Sequence, residues 1–396
     1  MLKMIFRIAW QNIARRRRSV STILLCVCIT VFTVVSVWSV LDSITAGLEL
    51  SRERQGADVL VYPNESEISD SSMLYSGVAQ SVYMPADIVS KLETDMVEDI
   101  TWQFYLQTLP NAECCTVEKE YRLVGLDWES DFLVRPWIKD KSIASLEDGQ
   151  VLVGCNIPTE ETTNMMILNY PLKIVSTLEP TGTSLDDSVI MNISLLRRLA
   201  KLNFIFKDLP PAELITCAMV RLQDGTSVQE YIQSLGGVEA KVVSISGVQS
   251  ALQSEVDMLA VIMTCLLAVI VVLCCVTLSA QFRMLTLTRK KEVGYLRSIG
   301  MSRPQIYAMF ITEFGLISLI GGTIGSIAGA SVVVPAIEWV KQNIALPISP
   351  SDPTFLAAHA LFGLLLAVAV CAFATVSPLH QITRISHHEM IAKGDL

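Results

Sequence analysis

A membrane protein with four transmembrane α-helices and one large extracytoplasmic α+β domain is the fold class that this sequence predicts, on three observations. Of its 396 residues 51% are hydrophobic and only 17% charged, and the mean hydropathy is +0.47, which excludes an ordinary soluble enzyme. Four stretches, residues 20–41, 259–278, 306–334 and 355–376, are apolar over the about 20 residues that a helix needs to cross a hydrocarbon core of about 30 Å. Between the first and second of them, residues 42–253 alternate short strand patterns with short helical ones.

Residues 1–18 set Met4, Ile5, Ile8, Ala9 and Ile13 on one helical stripe with Trp10 beside it and arginines at the flanks. That is the pattern of a cytosolic amphipathic helix lying in the membrane interface. A signal peptide is the alternative, but the apolar run that follows is too long for one and no small-x-small site ends it cleanly, so residues 19–41 read as a retained first span. Basic residues crowd the N-terminal segment (Lys3, Arg7 and Arg15–Arg18) and the segment after the second span (Arg283, Arg289, Lys290, Lys291, Arg297, Arg303), whereas only Lys341 follows the third. Retention of Lys and Arg on the cytoplasmic side then predicts both termini inside a cell membrane and residues 42–253 outside. The remaining boundaries are a second span at 255–281, a cytosolic helix at 282–304, a third span at 305–334, an external loop at 335–354, a fourth span at 355–378 and a cytosolic tail at 379–396.

Charge divides with the compartments. Residues 42–253 hold 15 Lys and Arg against 31 Asp and Glu, a net of −16, while the inner segments hold 14 against 3. An acidic outer face can gather cationic substrates; solubility beside an anionic membrane explains it equally. Six of the ten cysteines fall in the spans, where they act as small apolar residues. Cys114, Cys115, Cys155 and Cys217 lie outside; disulfides are open to them in three pairings, and free thiols are the preferred reading.

In the outer domain, helical character continues from the first span to about Gln55 and ends at Gly56, forming a stalk whose expected partner is 246–257. Strands are expected at 57–62, 100–107, 120–126, 150–153, 172–178, 188–191, 216–222 and 241–245, and helices at 85–94, 194–201 and 227–235, in roughly two small lobes. Residues 64–81 are polar and poorly periodic, which predicts a mobile loop. In the phrase 178–199, Thr181–Ser184 make a tight turn before Asp186 and Asp187. The two carboxylates suit a structural turn; a hard cation would need six or more oxygens that the spacing does not supply.

The chemical inventory is short. There is no GxxxxGK[ST] phosphate loop, no HExxH, GxSxG or CxxC, and the four histidines are His359 in a span and His380, His387 and His388 in the inner tail. Catalytic, cofactor-binding and metal-binding residues are therefore expected to be none, and the chain not to be an enzyme.

The most informative stretch runs from Arg289 to Gly329. Leu285, Leu287, Val293, Leu296 and Ile299 can supply an apolar face, and Arg289, Lys290, Lys291, Glu292 and Arg297 charge, for a short helix that either docks in a groove on a soluble partner or lies on lipid headgroups. Gly300 closes that helix, and Ser302 with Pro304 starts the next. Glu313 then sits about 10 Å into the third span from Ile306, where a carboxylate is costly and needs a partner such as an inner-surface arginine, or serves as a proton site. Gly321, Gly325 and Gly329 share one face at four-residue spacing, a surface for close helix packing against this chain or a second one.

These motifs resemble the FtsX-like permease superfamily, the MacB-type ABC-transporter permeases of the macrolide-exporter and lipoprotein-releasing branch. The pattern R-x-K-E-x-G-x-L-R-x-x-G is met by Arg289, Lys291, Glu292, Gly294, Leu296, Arg297 and Gly300 with Ile306 following, and the Thr181–Thr183 turn with WQNIARRRRSVSTILL adds to it. The resemblance implies that the segment from Arg289 to Ser302, Met301 included, contacts an ATPase subunit that holds ATP and magnesium, and that Glu313 tethers it. It implies a MacB-like periplasmic core between spans one and two, and a permease with two ATPase copies and a second permease chain, identical or homologous. Such a machine transmits mechanical movement to export or extract a peptide, antimicrobial or lipid-linked substrate. The alternative is a regulator that moves an extracellular partner, such as a cell-wall hydrolase, without transport. Nucleic acid is not an expected partner.

Overall fold

The computed structural model describes residues 17–64, 68–76, 79, 82–108, 121–159, 164–201, 213–343, 346–348 and 353–384. The stripe from Met4 to Ile13, Cys114, Cys115, His387 and His388 lie outside them. The chain forms α1 (Arg17–Arg54), β1 (Val59–Tyr62), α2 (Asp70–Tyr75), β2 (Met84–Pro85), α3 (Ile88–Leu92), β3 (Val97–Gln107), β4 (Arg122–Leu126), β5 (Gln150–Val153), β6 (Asn164–Ile167), β7 (Tyr170–Thr177) and β8 (Ser188–Asn192). It continues through α4 (Ile193–Lys201), β9 (Leu214–Ile215), β10 (Cys217–Leu222), α5 (Val228–Ser234), β11 (Lys241–Ser244), α6 (Ile245–Leu287), α7 (Lys290–Ser298), α8 (Arg303–Asn343) and α9 (Pro353–Arg384). Two compact units result, one of residues 43–257 with 337–350 and one of the rest.

The first unit is built on one mixed sheet of nine strands among the described residues, in the order β11-β1-β10-β3-β4-β8-β5-β7-β6. Its pairs β4–β8 and β5–β7 are parallel and the others antiparallel. Alternation along the strands gives two buried faces. Phe104, Leu106, Leu123 and Val189 pack under Leu195, Leu196 and Leu199 of α4, and Val59, Val61 and Val220 pack under Tyr231 of α5 and Leu92 of α3. Tyr105, Val124, Leu126 and Ile190 pack on the other face with Leu48 of α1, Leu74 of α2 and Leu252 of α6. The expected two lobes are thus two apolar clusters sharing one sheet, because β3 and β10 hydrogen-bond across the join.

Three local differences have physical causes. The expected mobile loop at 64–81 contains α2, which starts at Ser69, whose hydroxyl accepts from Ser72 N, and buries Met73, Leu74 and Tyr75. Asp70 at its first turn accepts from Tyr62 and pairs with Lys241 at 2.5 Å. Strand β6 adds to the expected strands, and its hairpin to β7 turns at Leu168 and Asn169 with φ of 52° and 61°, where glycine normally marks such a turn. The helix expected to end near residue 334 runs on to Asn343 through Pro335, so much of the expected external loop is helical.

In the second unit, α1, α6, α8 and α9 are long and apolar enough to cross a membrane by length and composition. They close on one core in which Val27, Val31 and Val35 of α1 meet Phe310, Phe314 and Ile317 of α8, Leu278 of α6 and Ala374 of α9. The glycine face of α8 packs on α1 of the same chain. A Cβ on Gly321, Gly325 or Gly329 would come within 3.2, 2.6 and 3.1 Å of the carbonyl oxygens of Leu24, Cys28 and Phe32. Both series step by four residues, so two helices lie backbone to backbone where a side chain has no room.

Candidate functional site

Helix α6 outlasts the expected second span and carries Leu285 inward before the chain bends at Thr288–Arg289. Arg289 N donates to Thr286 O at 3.1 Å, and Val293 N to Arg289 O at 3.0 Å, which turns the backbone into the nine-residue α7. Val293 is buried, and Leu296 with Met301 packs on the helix core. The C-terminus has the geometry of a helix stop built on glycine. Ile299 N donates to Tyr295 O, Met301 N donates back to Leu296 O, both at 3.0 Å, and Gly300 between them has φ of +101°, a conformation that other residues adopt only under strain. The next helix begins at once, with Gln305 Oε1 accepting from Ser302 N at 2.8 Å, one half of a capping box.

Beneath α7 lies the ion pair. Arg289 Nη1 and Nη2 donate to the two carboxylate oxygens of Glu313 at 2.5 and 2.7 Å, with side-chain exposures of 1% and 0%. Phe310 lies under the guanidinium, 5.8 Å from ring centre to Cζ, and the Phe282 and Phe314 rings are tilted against each other with centres 4.0 Å apart. A planar fork gripping a carboxylate in a dry surround fixes both partners in distance and orientation. Glu292 Oε2 approaches Arg289 Nε at 3.8 Å from the outside.

The expected site residues therefore separate. Arg289 does not stand on a charged outer rim: its side chain is buried against Glu313. Gly294 is buried, while Glu292, Gly300 and Ser302 are exposed; the side chains of Lys291 and Arg297 lie outside the described set. The expected single apolar face also divides, because a nine-residue helix with a buried side must present its other side outward. Leu285, Val293 and Leu296 point in, whereas Leu287 and Ile299 point out at 43% and 82% exposure. Tyr295, which the motif reading passed over, is 70% exposed on that outer side. An aromatic residue among charges on a short helix was the available signal.

The turn at Thr181–Thr183 is structural. Asp186 accepts from Thr181 N and Oγ1 at 2.7 Å each and from Gly182 N at 2.8 Å, and burial nonetheless raises its pKa. Its carboxylate is spent on the loop, and the loop is held by Arg54 Nη1 donating to Pro180 O at 2.5 Å. Asp187 accepts instead from Asn156 Nδ2 at 3.1 Å.

Comparison with known proteins completes the site. Residues 262–386 match the family described as FtsX-like permease C-terminal, a span that encloses α7, Arg289 and Glu313. An uncharacterized ABC transporter permease of Methanocaldococcus jannaschii is 25% identical over 168 residues, and the match spans 41% of this chain and 41% of that relative's length. Among solved structures, the periplasmic region of MacB from Actinobacillus actinomycetemcomitans is similar at a TM-score of 0.33 and 9% identity, over 51% of this chain and 95% of that one. The extracellular domain of the noncanonic ABC-type transporter YknZ from Gram-positive bacteria is similar at 0.26 and 8%, over 46% and 89%. Residues 262–386 are thus similar to the C-terminal domain of FtsX-like permeases, and the chain spans less than half the length of the curated relative it matches.

Proposed function

We propose that the chain is the permease subunit of an ABC transporter and that α7 is the contact through which a separate ATPase subunit drives it. The observation that carries this reading is the combination of an exposed Tyr295–Ile299 edge with a buried Arg289–Glu313 clamp directly behind it. A docking edge transmits force only if its own helix cannot slide, and the bidentate pair supplies that restraint. The force then enters α6 and α8, which are unbroken helices of 43 and 41 residues. Long uninterrupted helices pass displacement without a flexible linker, which favours movement of the outer domain to export or extract a peptide, antimicrobial or lipid-linked substrate. On this reading α1, α6, α8 and α9 cross the cell membrane with both termini in the cytoplasm, and ATP and magnesium belong to the ATPase, present in two copies on a pair of permease chains.

The test is purification of the tagged chain from its native cell in mild detergent, with every accompanying polypeptide identified and ATP hydrolysis assayed. An ATPase carrying a phosphate loop should arrive in near equal amount. Tyr295→Ala with Ile299→Ala should weaken its retention by roughly tenfold, as loss of an anchoring contact does, and Glu292→Ala with Arg297→Ala should uncouple hydrolysis while leaving the chain in the membrane. If no ATPase accompanies a chain purified under conditions that keep other membrane complexes whole, the permease reading fails. Retained activation of an extracellular hydrolase without loss of any exported substrate would favour the regulatory alternative.

A further inference from the structure

The face of the sheet that meets α1 and α2 carries a row of polar side chains among its apolar ones. The register places Arg122 opposite Gln107 and, in parallel, beside Ser188, and places Gln103 opposite Leu126 and Cys217. Alternation then brings Gln103, Tyr105 and Arg122 to the same side, around a cavity of about 20 Å³ also lined by Ser184 and Thr183. Such a space holds about one or two particles of water size.

Arg122 is 2% exposed. Its Nε donates to Ser188 Oγ at 3.0 Å, and its guanidinium carbon lies 4.4 Å from the centre of the Tyr105 ring. Among the described residues no carboxylate pairs with it, and none lines the cavity. Asp186 is engaged by its turn, and Glu179 with Arg54 at 3.6 Å. Tyr105 and Cys217 do not supply the missing charge either, since burial holds the phenol well above its ordinary value and pushes the thiol to about 11. A second donor lies at the same cavity. Tyr105 Oη donates to Gln103 Oε1 at 2.7 Å and accepts from Cys217 Sγ at 3.2 Å, which orients the amide and leaves its buried Nε2 without an acceptor.

A buried cation without a counter-charge, beside an unsatisfied amide donor, is costly on both counts. One small negative ion relieves both at once. We propose that the cavity beside Arg122 is a binding site for a monovalent anion of halide size, held by the Arg122 guanidinium and Gln103 Nε2. It is distinct from the α7 site and independent of the permease reading.

The experiment follows thermal unfolding of the full-length chain in detergent while sodium chloride replaces sodium gluconate at constant ionic strength. Saturable stabilisation by chloride and by bromide is expected, raising Tm by about 3–6 °C at ten times the apparent Kd. Gln103→Glu places a carboxylate beside Arg122 and should abolish the chloride dependence while unfolding near the temperature of the chloride-saturated protein. Equal Tm in chloride and gluconate, or an unchanged chloride response in Gln103→Glu, overturns the proposal. Should that variant not fold, chloride NMR line broadening on the unaltered chain decides: broadening competed by bromide and lost in Gln103→Leu supports the site, and its absence refutes it.

Discussion

A guanidinium and a carboxylate that are 1% and 0% exposed hold each other because neither is tolerable alone in an apolar interior. Glu313→Ala should therefore cost about 3–5 kcal/mol by stranding Arg289, whereas Arg289→Met with Glu313→Leu should recover most of the loss. Thermal unfolding in detergent reads both, and a double variant no better than the single one would mean that the pair is not what packs this region. A second residue-level prediction concerns Asp131, which accepts from the backbone N–H groups of Leu133, Val134 and Arg135 yet is pushed up to about 6 by burial. The folded pKa lies above the unfolded value of about 3.9, so the folded chain binds the proton more tightly. The stability so gained is full below pH about 4 and is lost as pH rises through about 6, a change of roughly 2–3 kcal/mol. Asp131→Asn keeps one acceptor oxygen, removes the titrating group, and should abolish this slope from the difference between pH 4 and pH 7, while losing one of the backbone hydrogen bonds.

At the scale of elements, α8 tests whether close approach is what its glycines provide. Gly325 faces the carbonyl of Cys28 at a distance no real Cβ allows, while a Cβ on Gly315 in the same helix meets nothing within 4 Å. Gly325→Ala must push α1 away and should destabilise by about 1–3 kcal/mol. Gly315→Ala relieves backbone entropy and should be neutral or stabilising by up to about 1 kcal/mol. Equal effects at the two positions would show that helix propensity, not packing, governs both. For α7 the corresponding contrast is between its inner and outer sides: Val293→Ala should lower stability through lost burial, and Tyr295→Ala should leave stability within about 0.5 kcal/mol of the unaltered chain.

For the whole molecule, the Lys and Arg crowded at the N-terminus and in residues 283–303, against the single Lys341 after the third span, predict one orientation in the membrane. An epitope inserted at the exposed Asp148–Gly149 turn should be reached by antibody on intact cells, and one at the C-terminus only after permeabilisation. The reverse pattern would overturn the orientation and with it the placing of α7 beside an ATPase. The net charge of −16 on residues 42–253 frames the proposed anion site, since a positive centre buried in an acidic domain is one that the domain's average field does not announce.

Periodicity and composition by themselves determined the four apolar helices, most strands and the Gly300–Ser302 break, because each of these is set by local chemistry: the length needed to cross a bilayer, the alternation of a half-buried strand, and the backbone freedom of glycine. Only the tertiary structure decided the partners. Whether Arg289 faces water or Glu313, whether Gly321, Gly325 and Gly329 meet α1 or another chain, and whether a polar stretch such as 64–81 buries a helix all depend on which segments the fold brings together. Arg122 shows the limit most plainly. Its strand neighbours reveal that it is surrounded by apolar residues, but its want of a counter-charge is a property of the space around it, and that space is made by Arg54 of α1, Gln103 and Tyr105 of β3, and Ser184, from three separate parts of the chain.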